Sequence, residues 1–262
     1  NKVNGLEVFY YLKEYDEKSD TIEIKIPYGD STLMFSNHSK EKKFKIEPKA
    51  GSNHFVWDLE LPGARKFDGM ILWWGDLSGP SAVPGVHKMS FVHNNMSKGF
   101  EFEVLKNPNS SSSVDDIQAQ YDFVQSVISK VDEAHATIEN IRKQRSQIKK
   151  LNDQVDDDEI TALTAQIDSI GTSVEKALYQ TQNRSGQDPL NYPIKLTNKL
   201  AHLNSLTKMR SSDYPPTDQA IAVRDELIEA IDRELAKYKT VREELIPELN
   251  RLILRKEIPY ID

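Results

Sequence analysis

Cysteine is absent from all 262 residues, which excludes a disulfide framework, a thiol nucleophile and any zinc or iron–sulfur site built on thiolates. No apolar run approaches the roughly 20 residues that span a bilayer. The opening NKVNGLEVFYYL has neither an initiator Met nor a signal-peptide h-region, so it is expected to be a cut inside a longer protein. Positive charge is not in excess: residues 1–106 hold 14 Lys+Arg against 15 Asp+Glu, and residues 107–262 hold 20 against 26. A nucleic-acid partner is therefore not expected, and the net charge of −7 bears on solubility more than on any cationic ligand. Gly-x-Ser-x-Gly, P-loop and Gly-x-Gly-x-x-Gly signatures are missing. The six histidines lack metal-binding spacing, and the acidic run Asp153–Glu159 lacks the central Gly of an EF-hand loop. No catalytic residue, metal or cofactor is expected from these patterns.

What is present divides at one seam, Asn107–Ser113 (NPNSSSS). All three Trp and nine of the eleven Gly lie before it. Residues 5–106 alternate with period two and carry turn residues between runs, the pattern of a β-sandwich. Leu6, Val8 and Tyr10 share one face of a strand, as do Ile22, Ile24 and Ile26. Further strands are expected at Thr32–Ser36, Phe44–Glu47, Asn53–Leu59, Gly69–Trp74, Gly85–His93 and Lys98–Leu105. Tyr28-Gly29-Asp30, Pro48–Gly51 and Asn94-Asn95 supply turn chemistry.

After the seam the period becomes helical. Val114, Ile117, Tyr121, Val124, Ile128, Val131, His135 and Ile138 step by three and four along one stripe. Ser113 and Asp116 are placed to cap that helix, which is expected to reach about Lys150. Helices at Asp157–Gln182, Leu190–Lys208 and Asp218–Leu254 follow. Thr217 caps the last of them, and Pro247 should kink or divide it. The expected architecture is α+β in two modules: an Ig/FnIII-like antiparallel β-sandwich over 1–106, a linker over 107–113, and an antiparallel bundle of about four helices over 114–262. An oligomeric coiled coil through the first stripe is an alternative use of the same pattern.

Three stretches carry a family resemblance: GLEVFYYLKE (5–14), GSNHFVWDLELPGARKFDGMILWWGDLSGPSAVPGVH (51–87) and ALYQTQNRSGQDPLNYPIKLTNKLAHL (177–203). The second resembles Ig-like modules of bacterial secreted proteins. Together, and in this order, the three resemble the C-terminal region of large bacterial proteins that carry sortilin/Vps10-like BNR-repeat β-propellers and are often labelled glycosyl hydrolases. The resemblance implies a β-propeller preceding Asn1 in cis, and export beyond the cytoplasmic membrane. No Ser-x-Asp-x-Gly-x-x-Trp box occurs here, so the segment that would carry the family's activity is expected to be missing; His87 in place of the Tyr of the Pro-Gly-x-Tyr habit is a surface-strand swap with no bearing on the resemblance.

Six residues stand out as ligand or interface candidates. Trp57 shares a strand face with Phe55 and Leu59 and is read as a core residue, with Asp58 on the opposite face. Trp73 and Trp74, as neighbours on a strand, would point to opposite faces, so one of them needs a second home. An interface is favoured there over a sugar-stacking platform. Arg184 and Asp188 could form a ligand clamp. The favoured reading is structural, with Gly186 turning the chain, Asp188 capping the helix begun by Pro189, and Arg184 paired to a carboxylate or a helix C-terminus. Asp58, Asp68 and Asp76 would be the carboxylates of a glycosidase only if the fold brought them together. The expected function is a structural and interaction appendage with a protein partner; the alternative is a carbohydrate-binding or glycosidase-accessory module.

Overall fold

A computed structural model describes residues 5–208, 213–256 and 258. The chain is α+β with antiparallel sheets, and it forms two compact units. Unit 1 comprises Asn1–Pro62, Ser78–Tyr121 and Asp213–Pro215; unit 2 comprises Gly63–Leu77, Asp122–Ser212 and Pro216–Asp262. The stretch Gly63–Leu77, which sequence periodicity groups with the strands, is thus counted with the helices.

Unit 1 holds six strands among the described residues: β1 (Leu6–Leu12), β2 (Ile22–Tyr28), β3 (Ser31–Ser36), β4 (Gly51–Trp57), β5 (Gly85–His93) and β6 (Met96–Val104). β1 pairs with β4 in a two-stranded sheet, and β3-β2-β5-β6 form a four-stranded one. Both are antiparallel. The period-two pattern sets which side chains are buried: Ile22, Ile24 and Ile26 are 0%, 0% and 1% exposed. They share a core with Leu12 of β1, Leu33 and Phe35 of β3, Trp57 of β4 and Met89 of β5. Two-residue turns fix the registers. Tyr28 pairs with Ser31 across Gly29 (φ 49°), and His93 pairs with Met96 across Asn94 (φ 53°), two residue types that tolerate a left-handed backbone. The Asn94 carboxamide also accepts from Thr21 N at 2.7 Å and donates to Asp20 at 2.9 Å, tying the β5–β6 turn to the start of β2.

Two expected strands do not form. Lys42–Phe44 is a 3-10 turn, and only Lys45 makes a bridge, to Ser36. Gly69–Trp74 contains no strand; Gly69 (φ 73°) and Trp74 (φ 55°) take left-handed conformations, and a strand cannot run through either.

In unit 2 the core is shared by α1 (Val114–Asn152, which enters this unit at Asp122), α2 (Asp158–Leu178), α3 (Leu196–Lys208), α4 (Asp218–Thr240) and α5 (Ile246–Arg255). Val124, Ile128, Val131, His135 and Ile138 of the α1 stripe are all buried, against Ile160, Ile167 and Val174 of α2 and Ile231 of α4. Ser113 and Asp116 form a reciprocal cap at the start of α1: Asp116 N donates to the hydroxyl at 3.1 Å and Ser113 N to the carboxylate at 2.8 Å. Asp157 caps α2 through Glu159 N and Ile160 N while also holding Lys256 Nζ at 2.6 Å. Those bonds, the one from Lys256 foremost, keep its carboxyl below the usual range.

Pro247 divides the last helix. Without an N–H it cannot close a bond to Glu243, and the preceding turn, Val241–Leu245, widens into a π-helix before α5 begins. The third helix starts later than Leu190: Asp188–Leu190 is a 3-10 turn, and Pro193 disfavours helix at Tyr192. Among the described residues no helix is long and apolar enough to cross a membrane.

Thr217 caps α4 by accepting from Ala220 N at 3.2 Å. Thr217→Ala is expected to destabilise unit 2 by about 1 kcal/mol, and Thr217→Ser by much less, as measured by urea denaturation.

Candidate functional site: the Trp73–Trp74 loop

The stretch Gly63–Leu77 has no strand neighbour, so its backbone polar groups must be satisfied another way. Helices of unit 2 do this with side chains. Arg65 makes a paired bond to Asp132 of α1, Nε to Oδ1 at 3.0 Å and Nη2 to Oδ2 at 2.9 Å, and its backbone N–H joins Oδ1 at 2.7 Å. Its carbonyl accepts from His135 Nδ1 at 2.8 Å. Phe67 is buried between the ring edges of His135 and Tyr179, at 5.2 and 4.9 Å, with the Arg142 guanidinium 4.5 Å from its centroid. Arg142 and Arg145 in turn converge on the buried carboxylate of Glu175, at 2.7 and 3.2 Å. The Tyr179 hydroxyl accepts from Ile71 N at 2.8 Å.

α3 takes over at the tryptophans. Asn198 grips Trp73 at both ends of its peptide groups: Trp73 N donates to Oδ1 at 2.8 Å, and Nδ2 donates to Trp73 O at 2.8 Å. His202 Nε2 donates to that same carbonyl, and the Ser205 hydroxyl donates to Trp74 O. Asp76 N reaches Ala201 O at 3.2 Å, and Asn204 Nδ2 reaches Asp76 O at 3.0 Å. The approach is so close that a Cβ on Gly75 would lie 3.0 Å from both Ala201 Cβ and Asn198 Nδ2. Any side chain there would press on Asn198 and Ala201, which would have to give by a few tenths of an ångström.

This clamp presents one side chain. Trp74 is 67% exposed, and its backbone sits at φ 55°, a conformation that costs a non-glycine residue about 1 kcal/mol or more. Trp73 is half-buried and meets the Trp74 indole edge-on at 6.4 Å. No strand is there, so Trp73 and Trp74 are not the opposite-facing neighbours expected from one; Trp74 turns outward on a left-handed backbone. Neither residue periodicity nor the tryptophans themselves point to the residues that make the clamp. Asn198, His202 and Ser205, spaced i, i+4, i+7 on α3, are a polar stripe legible in the sequence once a partner for it is sought.

The other candidates have different roles. Trp57 is 2% exposed and its Nε1 donates to Glu60 O at 2.9 Å. Asp58 is exposed and accepts from Glu60 N at 3.0 Å in a turn that contains Leu59 at φ 66°. It belongs to unit 1, whereas Asp68 and Asp76 belong to unit 2. Arg184 and Asp188 close a loop on itself. The Asp188 carboxylate accepts from Arg184 N, and from the Ser185 amide and hydroxyl at 2.9 Å each, and these bonds hold it below the usual carboxylate range. The expected helix cap at Asp188 is replaced by this backward bonding, with Gln187 at the cap position of the 3-10 turn. Nη1 of the Arg184 guanidinium donates to Thr181 O and Asn183 O just past α2, in keeping with the structural reading of the pair. Among the described residues no group of three His, Asp or Glu is placed to hold a metal ion.

Comparison of the chain with protein-family models, with curated proteins and with solved structures finds no match.

Proposed function

We propose that the chain is a non-catalytic interaction appendage, with unit 1 an Ig/FnIII-like sandwich, unit 2 an antiparallel helical bundle, and Trp74 the anchor for a protein partner. The observation that carries this reading is the exposed indole on a backbone held by Asn198, His202 and Ser205. A left-handed tryptophan costs stability, and strain of this kind concentrates where a side chain must be presented in one orientation. Large aromatics are frequent hot spots of protein interfaces. The three stretches 5–14, 51–87 and 177–203 support a β-propeller in cis as that partner, within an exported protein of the BNR-repeat type. The alternative is a carbohydrate-binding or glycosidase-accessory module, in which Trp73 or the exposed Trp74 serves as a sugar-stacking platform.

The decisive variant is Trp74→Gly, because it separates fold from recognition. Glycine relieves the φ 55° strain, so unit 2 should lose no stability in urea denaturation and should gain up to about 1 kcal/mol. Binding of the upstream segment, added in trans and followed by tryptophan fluorescence or calorimetry, should weaken at least about tenfold. Unchanged affinity, or an upstream segment with no propeller repeats, overturns the reading.

A further inference from the structure

β6 lies at one edge of the four-stranded sheet of unit 1, and among the described residues no strand lies beyond it. The turn before it decides which of its backbone groups are left over. His93 and Met96 close a two-residue turn, and a closing pair of that kind exchanges both backbone bonds. The bonds then recur at every second residue, so Met96, Lys98, Phe100, Phe102 and Val104 are the ones bonded to β5. Ser97, Gly99, Glu101 and Glu103 turn their N–H and C=O groups to the open side. All four are exposed, and none has a hydrogen bond there to a described residue. The opposite edge of the sheet is guarded: Ile46 N donates to Ser36 O at 3.2 Å, and Lys45 bridges to the same residue of β3. β6 has no such cover, and its register with β5 runs without a bulge from Gly85–Val104 to His93–Met96. An edge of this kind is a template for one more strand.

The side chains specify which strand fits. On the core side Phe102 meets Trp57 edge-on, but Met96 and Phe100 of the same face stay 70% and 43% exposed. Lys98, the only basic residue of β6, belongs to that face too and lies over the Phe100 ring, Nζ 5.3 Å from its centroid. The outer face is left with negative charge: Glu101 stands opposite Lys88 without an ion pair, and Glu103 stands opposite the exposed Val86. Residues of an added strand would lie about 4.5–5.5 Å from their opposites on β6. The matching segment therefore alternates with period two, apolar residues toward Met96 and Phe100, Lys or Arg toward Glu101 and Glu103. A second copy of β6 would instead bring the glutamates of both chains onto one face, which opposes that pairing.

We propose that β6 accepts an extended segment of a protein partner as an added strand, a segment whose residues are alternately basic and apolar. The test is NMR titration of the isotope-labelled intact chain with a blocked peptide of alternating Val and Lys, and with its Val and Glu counterpart. At low ionic strength the basic peptide should bind with Kd on the order of 0.1–1 mM, the acidic one at least about tenfold more weakly. Hydrogen exchange should slow selectively at the amides of Ser97, Gly99, Glu101 and Glu103. Gly99→Pro removes an outward donor and no bond to β5, a placement that an edge strand tolerates, and should weaken binding at least about fivefold. If circular dichroism shows that variant misfolded, Glu101→Lys combined with Glu103→Lys decides alone: the preference should turn to the acidic peptide. Trp74→Gly should leave peptide binding unaltered, so failure here and failure of the Trp74 anchor are distinguishable. Absence of binding at about 5 mM peptide, equal binding of the two peptides, protection that avoids the four amides, or a preference unmoved by charge reversal each overturns the proposal. Concentration-dependent protection of those amides without peptide also overturns it, by assigning the edge to a second copy.

Discussion

Trp57→Ala is expected to cost unit 1 about 3–5 kcal/mol, much of the 5–15 kcal/mol that holds a domain of ordinary stability. The side chain is 2% exposed, meets Phe102 edge-on at 6.2 Å, and shares the core with Ile22, Ile24 and Ile26 of β2. Alanine removes the largest apolar surface in that core and leaves a void its neighbours refill only in part. It also strips the Glu60 carbonyl of its 2.9 Å donor. Phe9→Ala is the control: that ring is 72% exposed on the other face of β1, and its loss should stay within about 0.5 kcal/mol. Hydrogen exchange of the β2 amides during urea titration reports unit 1 specifically. A loss below about 1 kcal/mol for Trp57→Ala would remove Trp57 from the core that joins the two sheets.

The contrast between Trp57 and Trp74 shows which parts of this fold can be read from residues alone. Where burial follows a local period, the pattern suffices: the β2 isoleucines and the α1 stripe from Val124 to Ile138 are buried at the spacings their own sequence sets. Caps are legible for the same reason, since Ser113 with Asp116 and Thr217 act within one turn. The stretch Gly69–Trp74 misleads because aromatic and β-branched residues favour a strand only when a strand lies alongside. Its hydrogen bonds go instead to Asn198, His202 and Ser205, more than 120 residues away in sequence, and nothing local marks that destination. Asp188 fails more narrowly. A carboxylate before a proline can cap forward or close a loop backward, and the amides of Arg184 and Ser185 decide it.

His135 should make unit 2 acid-sensitive well above the range where carboxylates titrate. The ring is 0% exposed; Nδ1 donates to Arg65 O, and Nε2 is buried with no partner. Burial is the main cause that lowers its pKa, and the Arg65 charge adds to it, while the bond to the Arg65 carbonyl and the nearby Asp132 carboxylate pull the other way. The unfolded chain, with an ordinary value near 6.5, therefore takes up the proton first. Stability is fully present above that pH and falls as pH drops toward the folded pKa, with a slope of about 1.4 kcal/mol per pH unit for one proton. Asp132, Asp157 and Asp188, whose pKa values lie below their ordinary ones, lose their contributions only at lower pH. His135→Phe keeps a ring against Phe67 but cannot be protonated. At neutral pH it should cost about 1–3 kcal/mol, because the Arg65 carbonyl loses its donor. The slope is the diagnostic: urea denaturation of unit 2 from pH 7 down to pH 5 should be steeper in the parent chain than in His135→Phe by about that one-proton increment. Parallel curves would mean that His135 takes up its proton as readily in the folded unit as in the unfolded chain, and the buried, unpartnered Nε2 would then have no energetic consequence.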